Sequence, residues 1–369
     1  MKFILPFILI LISTNSFSKI LPDNDLHKED GKFRSLTNMT EERFLFLAEE
    51  VITHFKKDAR THGKVLTLDP KWDSSEVNAY AYPTTNRMIV EMHGGLARRP
   101  EVTEDGFQLV VCHEIGHHLA GFPLYGFGWL AASEGQSDYF ATQVCAKAIW
   151  GDNVAGNLMY KSIASTTLTR MCENSYSTER EVGLCFRIGL ASHSLASLLA
   201  FGNEVDFDQR DYSVVEETYT SHPDGQCRLD TYMAGNLCQV RFDRSFIPID
   251  SDGARLTSCM RVDGFDLEAR PRCWFSPADV FEENPTGFHF QGVRKKAGVY
   301  GLLLKNIPDE AEKALIYWGK NATSPFTSID IVGNEFETEQ SWGFGVKRFI
   351  RVELINGFDE IVASYEKEL

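Results

Sequence analysis

A short pattern in the first third of the chain, His113-Glu114-Ile115-Gly116-His117, combines residue types that can hydrolyse a bond. An α-helix turns once in about 3.6 residues, so His113 and His117 are expected on one face, one turn apart. Two imidazoles in that arrangement can bind one zinc ion at about 2.0–2.1 Å. Glu114 lies beside them and can take a proton from water that the zinc acidifies. The H-E-x-x-H pattern therefore predicts zinc ligands at His113 and His117 and a general base at Glu114.

The same pattern also occurs by chance on the polar faces of unrelated helices. Here the flanking residues are apolar, with Leu109–Val111 before the pattern and Leu119–Ala120 after it. These flanks predict a buried helix, and histidines without partners are costly to bury. The metal interpretation is therefore favoured over a solvated helix face.

A third ligand is needed, because a catalytic zinc takes three protein ligands and keeps its fourth position open. Metzincins would have a glycine at Ala120 and a histidine at Pro123, so that class is excluded. Glu134 and Asp138 follow, four residues apart on a second predicted helix. We expect Glu134 to complete the ligand set of one Zn²⁺ ion and Asp138 to accept the free N–H of His113. A solvated carboxylate at a helix start is the alternative for Glu134.

Four separated motifs resemble the gluzincin class of zinc metallopeptidases, and within it the CaaX-prenyl-endopeptidase-like family. The H-E-x-x-H pattern is followed by E-x-x-x-D at Glu134, as in gluzincins. The approach to this pattern and a later S-H-P…R element are similar to that family, which includes soluble periplasmic zinc proteases of bacteria. The similar segments are Asn78–Ala81, Met88–Val90, Gly94–Leu96, Ser221–Pro223 and Arg228, within a resemblance that covers about residues 40–235.

The resemblance implies a zinc endopeptidase that acts on polypeptides, with a zincin-like helical core and a small sheet. It implies that the strand Asn78-Ala79-Tyr80-Ala81 lies at a sheet edge and pairs with extended substrate. It also implies that His222 and Arg228 stabilise the oxyanion or hold the site together. The membrane enzymes of the family have several spanning helices, and no such runs are expected here after the leader. Their substrates therefore do not transfer to this chain.

Residues 1–18 have the pattern of a secretory signal. Lys2 is the charged end, Phe3–Ile12 is an apolar run too short to span a membrane, and Ser16 and Ser18 offer small side chains to a signal peptidase. Cleavage is predicted after Ser18, with an uncleaved anchor as the alternative. The chain is therefore expected to be exported, to the periplasm or the medium.

Charge and composition limit the classes of partner. Hydrophobic residues make up 43% of the chain and charged residues 24%, which is typical of a folded soluble protein. The net charge of −15 argues against nucleic acid or an anionic membrane surface as a partner. A polypeptide substrate is the expected partner. The alternatives are a binding or envelope-assembly factor without turnover, and a latent protease whose N-terminal segment or C-terminal domain covers the cleft.

Eight cysteines in an exported chain indicate disulfides. Three sequential pairs have compatible spacings: Cys172–Cys185, Cys227–Cys238 and Cys259–Cys273. Cys112 and Cys145 remain, and both belong to the predicted zinc-site helices. They either join those helices or stay as two buried thiols. On an ideal helix Cys145 lies about 10 Å beyond Asp138, which makes the bond geometrically demanding.

Apolar periodicity predicts an α+β fold with a helical core and a β-rich C-terminal domain. Helices are predicted over residues 39–58, 153–170, 179–201 and 224–233, with Asn38 and Thr103 as caps of the first helix and of the zinc helix, and a hairpin over 77–82 and 87–93. The predicted order is a signal peptide (1–18), an N-terminal extension (19–36), a metallopeptidase domain (37–245), a cysteine-containing connector (246–283) and the C-terminal domain (284–369).

Overall fold

The computed structural model describes residues 18–33, 37–126, 131–276, 288–296, 299–305, 307–318, 325–331, 336–337, 340–341 and 349–368. The predicted signal segment lies outside these residues except for Ser18. The fold is α+β, as predicted, because helices dominate up to residue 256 and strands dominate after it.

The predicted N-terminal extension packs into the core of the molecule. It contains β1 (Ser18–Lys19), a 3-10 turn (Leu26–Glu29) and α1 (Asp30–Phe33). Ile20 and Leu21 are fully buried, and the Asp30 carboxylate accepts hydrogen bonds from the buried Arg98 guanidinium at 2.9 and 3.1 Å. Residues 18–33 therefore belong to the same packed unit as the helices that follow.

The first long helix, α2 (Glu41–Thr61), corresponds to the helix predicted over residues 39–58. Its N-cap is Thr40 rather than Asn38, and the Thr40 hydroxyl accepts a hydrogen bond from the Arg43 amide at 3.2 Å. Its buried apolar residues recur at helical spacing: Phe44, Leu47, Ala48, Val51, Ile52 and Phe55.

A four-stranded sheet packs on α2. Its strands after β1 are β2 (Val65–Lys71), β3 (Ala79–Pro83) and β4 (Arg87–His93), in the order β1-β3-β4-β2. β3 and β4 form the predicted antiparallel hairpin, β2 runs parallel to β4, and β1 pairs antiparallel with the outer edge of β3. Asp69 and Pro70 interrupt the apolar pattern of β2, so no sequence signal predicts it.

The centre of the molecule is built from two adjoining helices. The elements here are α3 (Gly94–Ala97), α4 (Glu104–Leu119), β5 (Leu124–Tyr125), β6 (Ala131–Ala132), α5 (Glu134–Phe140), a π-helical segment (Ala141–Ala146) and α6 (Lys147–Trp150). Thr103 caps α4, as predicted, and its hydroxyl accepts from the Gly106 amide at 3.0 Å. A Cβ on Gly116 would lie 2.9 Å from the Ser137 Cα, so glycine there lets α4 and α5 approach closely.

Four further helices cover the other side of α4 and α5. They are α7 (Val154–Met159), which continues as a 3-10 turn (Tyr160–Ile163), α8 (Thr166–Ser175), α9 (Glu179–Leu199) and α10 (Gly225–Leu237). In the described part of the chain, α9 alone is long and apolar enough to cross a membrane. Of its most apolar window, 67% is buried inside the molecule, as in a core helix.

Four disulfides connect the eight cysteines. They are Cys112–Cys145, Cys172–Cys185, Cys227–Cys273 and Cys238–Cys259. The predicted Cys172–Cys185 pair is confirmed, whereas the predicted pairs Cys227–Cys238 and Cys259–Cys273 are wrong. Cys227 and Cys238 lie at opposite ends of α10, about 16 Å apart at 1.5 Å per residue, whereas a disulfide needs Cα atoms within about 7 Å.

The bond between Cys112 and Cys145 joins α4 to the π-helical segment that continues α5. Its Cα atoms are 5.6 Å apart. The sequence left this pair open, because an ideal helix carries Cys145 too far along its axis. Cys145 instead belongs to the π-helical segment, whose i→i+5 hydrogen bonds place more residues in each turn. The spacing of an ideal α-helix therefore does not apply at this position.

The last part of the chain begins with the short elements of the predicted connector and continues as β-strands among the described residues after 288. Its elements are β7 (Ile247–Pro248), α11 (Ser251–Leu256), a 3-10 turn (Arg261–Asp263), β8 (His289–Lys296), β9 (Val299–Lys305), β10 (Lys313–Trp318), β11 (Thr327–Asp330), β12 (Phe336–Glu337), β13 (Gln340–Ser341), β14 (Phe349–Ile355) and β15 (Ile361–Glu368). The strands form two sheets, in the orders β11-β10-β14-β15 and β12-β9-β8-β7, and β13 pairs with β9. Between the sheets lies a separate apolar cluster that includes Phe290, Leu304, Ile316 and Val352.

Strand β7 connects this region to the helical part. It comes from the predicted connector and pairs with β8, Ile247 lying opposite Arg294. The Pro248 carbonyl accepts a hydrogen bond from the Phe122 amide at 2.9 Å, in the loop that follows α4. The C-terminal sheets are thus attached to the same loop that leads out of α4.

Candidate functional site

Helices α4 and α5 bring His113, His117 and Glu134 to one point. The two Nε2 atoms are 3.0 Å apart, Glu134 Oε2 is 3.3 Å from His113 Nε2, and Glu134 Oε1 is 3.6 Å from His117 Nε2. Ligand atoms at about 2.0–2.1 Å from a tetrahedral zinc lie about 3.3 Å from one another. The three side chains therefore have the separations of a shared ligand set and could hold one metal ion.

The hydrogen bonds of the two Nδ1 atoms determine which ring nitrogens of His113 and His117 face Glu134. His113 Nδ1 is 2.7 Å from Asp138 Oδ1, and His117 Nδ1 is 2.8 Å from the Ala132 carbonyl oxygen. An ionised carboxylate and a carbonyl only accept hydrogen bonds, so both Nδ1 atoms carry a proton and each neutral ring has its lone pair on Nε2. Two lone pairs and a carboxylate then converge, and such a set is costly to bury unless a cation or a proton lies among them.

The charges around this point favour a divalent cation. Glu114, Glu134, Asp138 and Arg228 are each at most 2% exposed, so three buried carboxylates face one guanidinium. Burial opposes a charge on His113, but Asp138 and Glu134 outweigh it and raise the pKa of His113 to about 9. A proton shared by these side chains would therefore compete with a metal ion for the same position. Metal binding would displace that proton, since only neutral imidazole can be a ligand.

Glu114 is the one residue of the H-E-x-x-H pattern that does not point into this ligand set. Its side chain is completely buried, and neither carboxylate oxygen has a hydrogen-bond partner among the residues that the structure describes. Burial raises the pKa of Glu114 to about 8, against the opposing effect of His113. A buried carboxyl group without partners is rare in folded proteins and calls for a functional explanation. Here the group is free to exchange a proton with a molecule bound beside it.

Asp138 and Arg228 form a buried ion pair behind His113. Arg228 Nε donates to Asp138 Oδ2 at 2.7 Å and Arg228 Nη2 to Asp138 Oδ1 at 2.8 Å, in a bidentate arrangement. Arg228 Nη2 is also 3.8 Å from Glu134 Oε2. Despite burial, Arg228 and His113 keep the pKa of Asp138 well below its usual range, so Asp138 stays ionised and holds the Nδ1 proton of His113. Arg228 thus orients the site through Asp138.

His222 lies in the loop before α10, close to Glu134. Its Nε2 is 3.7 Å from Glu134 Oε1 and 2.7 Å from the carbonyl oxygen of Lys19. Because a carbonyl oxygen only accepts, His222 Nε2 must be the donor. Burial lowers the pKa of His222, which favours the neutral ring. The structure therefore places this histidine where it donates to a peptide carbonyl beside the ligands.

The strand that the resemblance assigned to substrate, Asn78–Ala81, is Asn78 followed by the start of β3. The expectation was that it lies at the sheet edge. In the structure β3 is not the edge strand, because β1 of the same chain pairs with it. Ser18 lies opposite Ala81 and Lys19 opposite Tyr80. The Tyr80 hydroxyl donates to the Glu76 carboxylate, away from His113 and His117.

Three groups near the ligands had no sequence signal. The Ala132 carbonyl and the Ser137 hydroxyl both lie against His117 Nδ1, at 2.8 and 3.0 Å. The Tyr125 ring is 6.4 Å from the His117 ring, edge to face. A backbone carbonyl cannot be predicted from the type of its residue. Ser137 and Tyr125 have only one sequence signal, which is that they lie near Glu134 in the chain, Tyr125 in the aromatic loop before it and Ser137 in the helix that it begins.

No protein-family model matches the chain, and no curated protein or solved structure matches it either. The resemblance of its motifs to the gluzincins therefore stays an interpretation. The proposed function therefore rests on the chemistry of the site.

Proposed function

We propose that this chain is an exported zinc-dependent endopeptidase of the gluzincin type, with a zincin-like core. The observation that carries the proposal is the convergence of His113 Nε2, His117 Nε2 and a Glu134 carboxylate oxygen. Glu114 is buried beside them, and its carboxylate has no hydrogen-bond partner among the residues that the structure describes. A structural zinc site fills its fourth position with a protein ligand and needs no base. A set of three ligands with an adjoining free carboxyl group instead fits a hydrolytic site.

The donor set favours zinc over calcium or magnesium. Two imidazole nitrogens and one carboxylate suit zinc, whereas calcium and magnesium prefer oxygen ligands throughout. A zinc ion held there supplies a Lewis acid that polarises a peptide carbonyl and makes water more acidic. The bidentate pair of Asp138 and Arg228 fixes the ring of His113, and such outer contacts strengthen metal ligands.

Glu114 performs the proton transfers in this mechanism. As general base it takes a proton from the attacking water, and it then gives that proton to the amine that leaves the peptide. Its burial without hydrogen bonds raises the pKa of the carboxyl group, which makes the carboxylate a stronger base toward water. Its oxygens have no competing donor among the described residues.

His222 supplies a hydrogen bond to the carbonyl of the bound peptide. Its contact with the Lys19 carbonyl at 2.7 Å shows that Nε2 can donate to a main-chain oxygen in this place. A donor aimed at the oxygen of a peptide group stabilises the negative charge that develops there during hydrolysis. Arg228 acts mainly through Asp138, because both of its bonds to that carboxylate are short.

An oxidising environment fits the covalent structure. All eight cysteines are paired, and disulfides of this number are formed and kept outside the reducing cytoplasm. Together with the predicted leader, they support export. A polypeptide is the proposed substrate, because an extended peptide can pair with a strand of a sheet through its main chain.

The proposal is tested by metal analysis and proteolysis on the purified, exported protein. We expect one zinc per chain, and hydrolysis of casein and of a fluorogenic peptide mixture that a zinc chelator abolishes and added zinc restores. Glu114→Gln should keep the zinc and lower the rate at least about 100-fold, since a general base contributes about 10²- to 10⁴-fold. Glu173→Gln, at a half-exposed carboxylate on α8, is the matched control and should leave both measurements unchanged.

Two results would contradict this function. One is a folded protein that binds no zinc, and the other is full hydrolysis by Glu114→Gln. Stoichiometric zinc without hydrolysis of any peptide would instead favour a metal-containing binding or assembly factor.

A further inference from the structure

The first described residues of the chain lie along the strand that the resemblance assigned to substrate. Ser18 and Lys19 pair antiparallel with Ala81 and Tyr80. The next residue continues the ladder, because the Ile20 amide donates to the Ala79 carbonyl at 3.2 Å. An added edge strand with main-chain hydrogen bonds is one of the common ways in which proteins bind extended peptides.

The side chain of Asn78 extends this pairing by one more residue. Its Oδ1 accepts from the Leu21 amide and its Nδ2 donates to the Leu21 carbonyl, both at 3.1 Å. All four positions of Asn78–Ala81 therefore lie against the segment Ser18–Leu21. Ile20 and Leu21 are fully buried and Ser18 is 2% exposed, so the segment is held along its whole length.

The other wall of the groove is the catalytic side. His222 Nε2 donates to the Lys19 carbonyl and Arg228 Nη1 to the Ile20 carbonyl, each at 2.7 Å. The Ser18 hydroxyl contacts the Tyr125 hydroxyl, and the Tyr125 ring adjoins His117. His222 in turn lies 3.7 Å from a Glu134 oxygen. The peptide group of Lys19 is therefore placed next to the metal ligands.

We propose that the segment Ser18–Leu21 occupies the peptide-binding groove in place of substrate and keeps the enzyme latent until it is displaced or removed. This inference rests on the proposed function, because it assigns to the segment the groove in which that function needs a substrate. The segment would regulate the site as an intramolecular competitor of the substrate, made of the N-terminal residues of the exported chain.

The contacts distinguish this segment from an ordinary edge strand. A strand with a purely structural role is held by the main-chain hydrogen bonds to its neighbour. Here the carbonyls of Lys19 and Ile20 also accept hydrogen bonds from the side chains of His222 and Arg228. The His222 donor is the one that the mechanism assigns to the substrate carbonyl. Cleavage after Ser18, as predicted for the leader, would leave these two carbonyl contacts and the contacts of Leu21 in place.

The size of the effect follows from tethering. A segment joined to the enzyme by a few residues competes at an effective concentration on the order of millimolar. A free peptide of the same sequence that binds with Kd of about 100 µM would then correspond to roughly tenfold inhibition. Removal of the segment should raise kcat/KM by about that factor.

The first experiment compares two chains made behind a cleavable partner in an oxidising host, one beginning at Ser18 and one at Pro22. Both are checked for four disulfides and for their unfolding midpoints. We expect kcat/KM for the fluorogenic peptide to be about tenfold higher in the shorter chain. A fluorescent Ser-Lys-Ile-Leu peptide should bind the shorter chain and not the longer one, and a scrambled peptide should bind neither.

The binding measurement does not depend on turnover, so it separates the two proposals. Equal hydrolysis by both chains, with zinc present and no peptide binding, overturns latency and leaves the endopeptidase intact. Peptide binding confined to the shorter chain, without hydrolysis by either, supports occupancy of the groove and overturns the endopeptidase.

A second variant tests latency on the chain that begins at Ser18, should the shorter one fail to fold. Ser18 lies opposite Ala81, so Ser18→Cys with Ala81→Cys can form a cross-strand disulfide that locks the segment in the groove. The oxidised form should lose hydrolysis and regain it on mild reduction that leaves the buried native disulfides intact, while the single variant Ser18→Cys should not respond. A locked form that hydrolyses peptide as fast as its reduced form overturns the proposal.

Discussion

Asp138 holds two parts of the site together at the scale of single residues. Its Oδ1 binds the Nδ1 proton of His113 at 2.7 Å, and both of its oxygens accept from Arg228. The carboxylate therefore directs the lone pair of His113 toward the metal position and neutralises a buried guanidinium at the same time. Loss of its charge would affect metal affinity and folding together.

Asp138→Asn tests this dual role. An amide can donate as well as accept, so the proton of His113 is no longer fixed on Nδ1, and zinc affinity should fall about 10- to 100-fold. Arg228 would lose its charged partner, and breaking a buried pair costs about 3–5 kcal/mol of stability. Zinc affinity is measured by competition with a chelator, and the free energy of unfolding by denaturant titration.

Asp230→Asn is the matched control, because Asp230 is a buried carboxylate on the same helix as Arg228 that bonds to Gln226 and the Asp211 amide instead. It should leave zinc affinity unchanged. Unaltered zinc affinity in Asp138→Asn would show that the contact to His113 does not orient the ligand.

The close approach of α4 and α5 sets the site geometry at the scale of elements. Gly116 lies one residue before His117 in α4 and faces Ser137 of α5. Ser137 lies between Glu134 and Asp138 in the sequence. A larger residue at 116 would push apart the two helices that carry the three ligands.

Gly116→Ala should therefore destabilise the protein although alanine favours helix. The new Cβ would lie 2.9 Å from the Ser137 Cα and 3.1 Å from its carbonyl oxygen, so backbone has to move. Overpacking of this kind costs about 1–3 kcal/mol, which exceeds the gain of about 1 kcal/mol in helix propensity. Denaturant unfolding and zinc titration measure both effects, and zinc affinity should fall as well.

Gly31→Ala is the control for the propensity term, because a Cβ on this glycine of α1 meets no atom within 4 Å. It should be neutral or slightly stabilising. An equal gain of stability at Gly116 would mean that the two helices separate without cost.

Sequence periodicity and motif spacing predict those elements that local signals encode. The helix of His113 and His117, its Thr103 cap and the hairpin of β3 and β4 follow from such signals. Strand β1 does not, because two residues have no period and their partners lie about 60 positions away at Tyr80 and Ala81. The disulfide pairs of α10 also depend on tertiary contacts, since its two cysteines point to different neighbours.

The candidate site divides in the same way. The spacing of His113, His117 and Glu134 predicts a ligand set, and the structure brings these three side chains together. The carbonyl that orients His117 belongs to Ala132, a residue whose type gives no hint of the contact. Long-range hydrogen bonds of the backbone are therefore the part of a site that residue types do not reveal.

Lys147 links three helices at the scale of the whole molecule. It begins α6, and its ammonium donates to the Cys238 carbonyl at the end of α10 at 2.6 Å and to the Tyr176 hydroxyl after α8 at 3.1 Å. Burial lowers the pKa of Lys147 to about 7, with Glu181 opposing the shift only in part. An unfolded lysine has a pKa of about 10.4, so the two states bind protons differently above pH 7.

Between about pH 7 and 10 the unfolded chain holds a proton on Lys147 that the folded chain lacks, so this group makes stability rise with pH. Lys147→Met removes that dependence. Its stability relative to the parent chain should therefore fall by up to about 1.4 kcal/mol per pH unit between pH 7.5 and 9. Urea unfolding at several pH values measures the difference, with the exposed Lys161→Met as a flat control. A pH-independent difference for Lys147→Met would show that Lys147 remains charged in the fold.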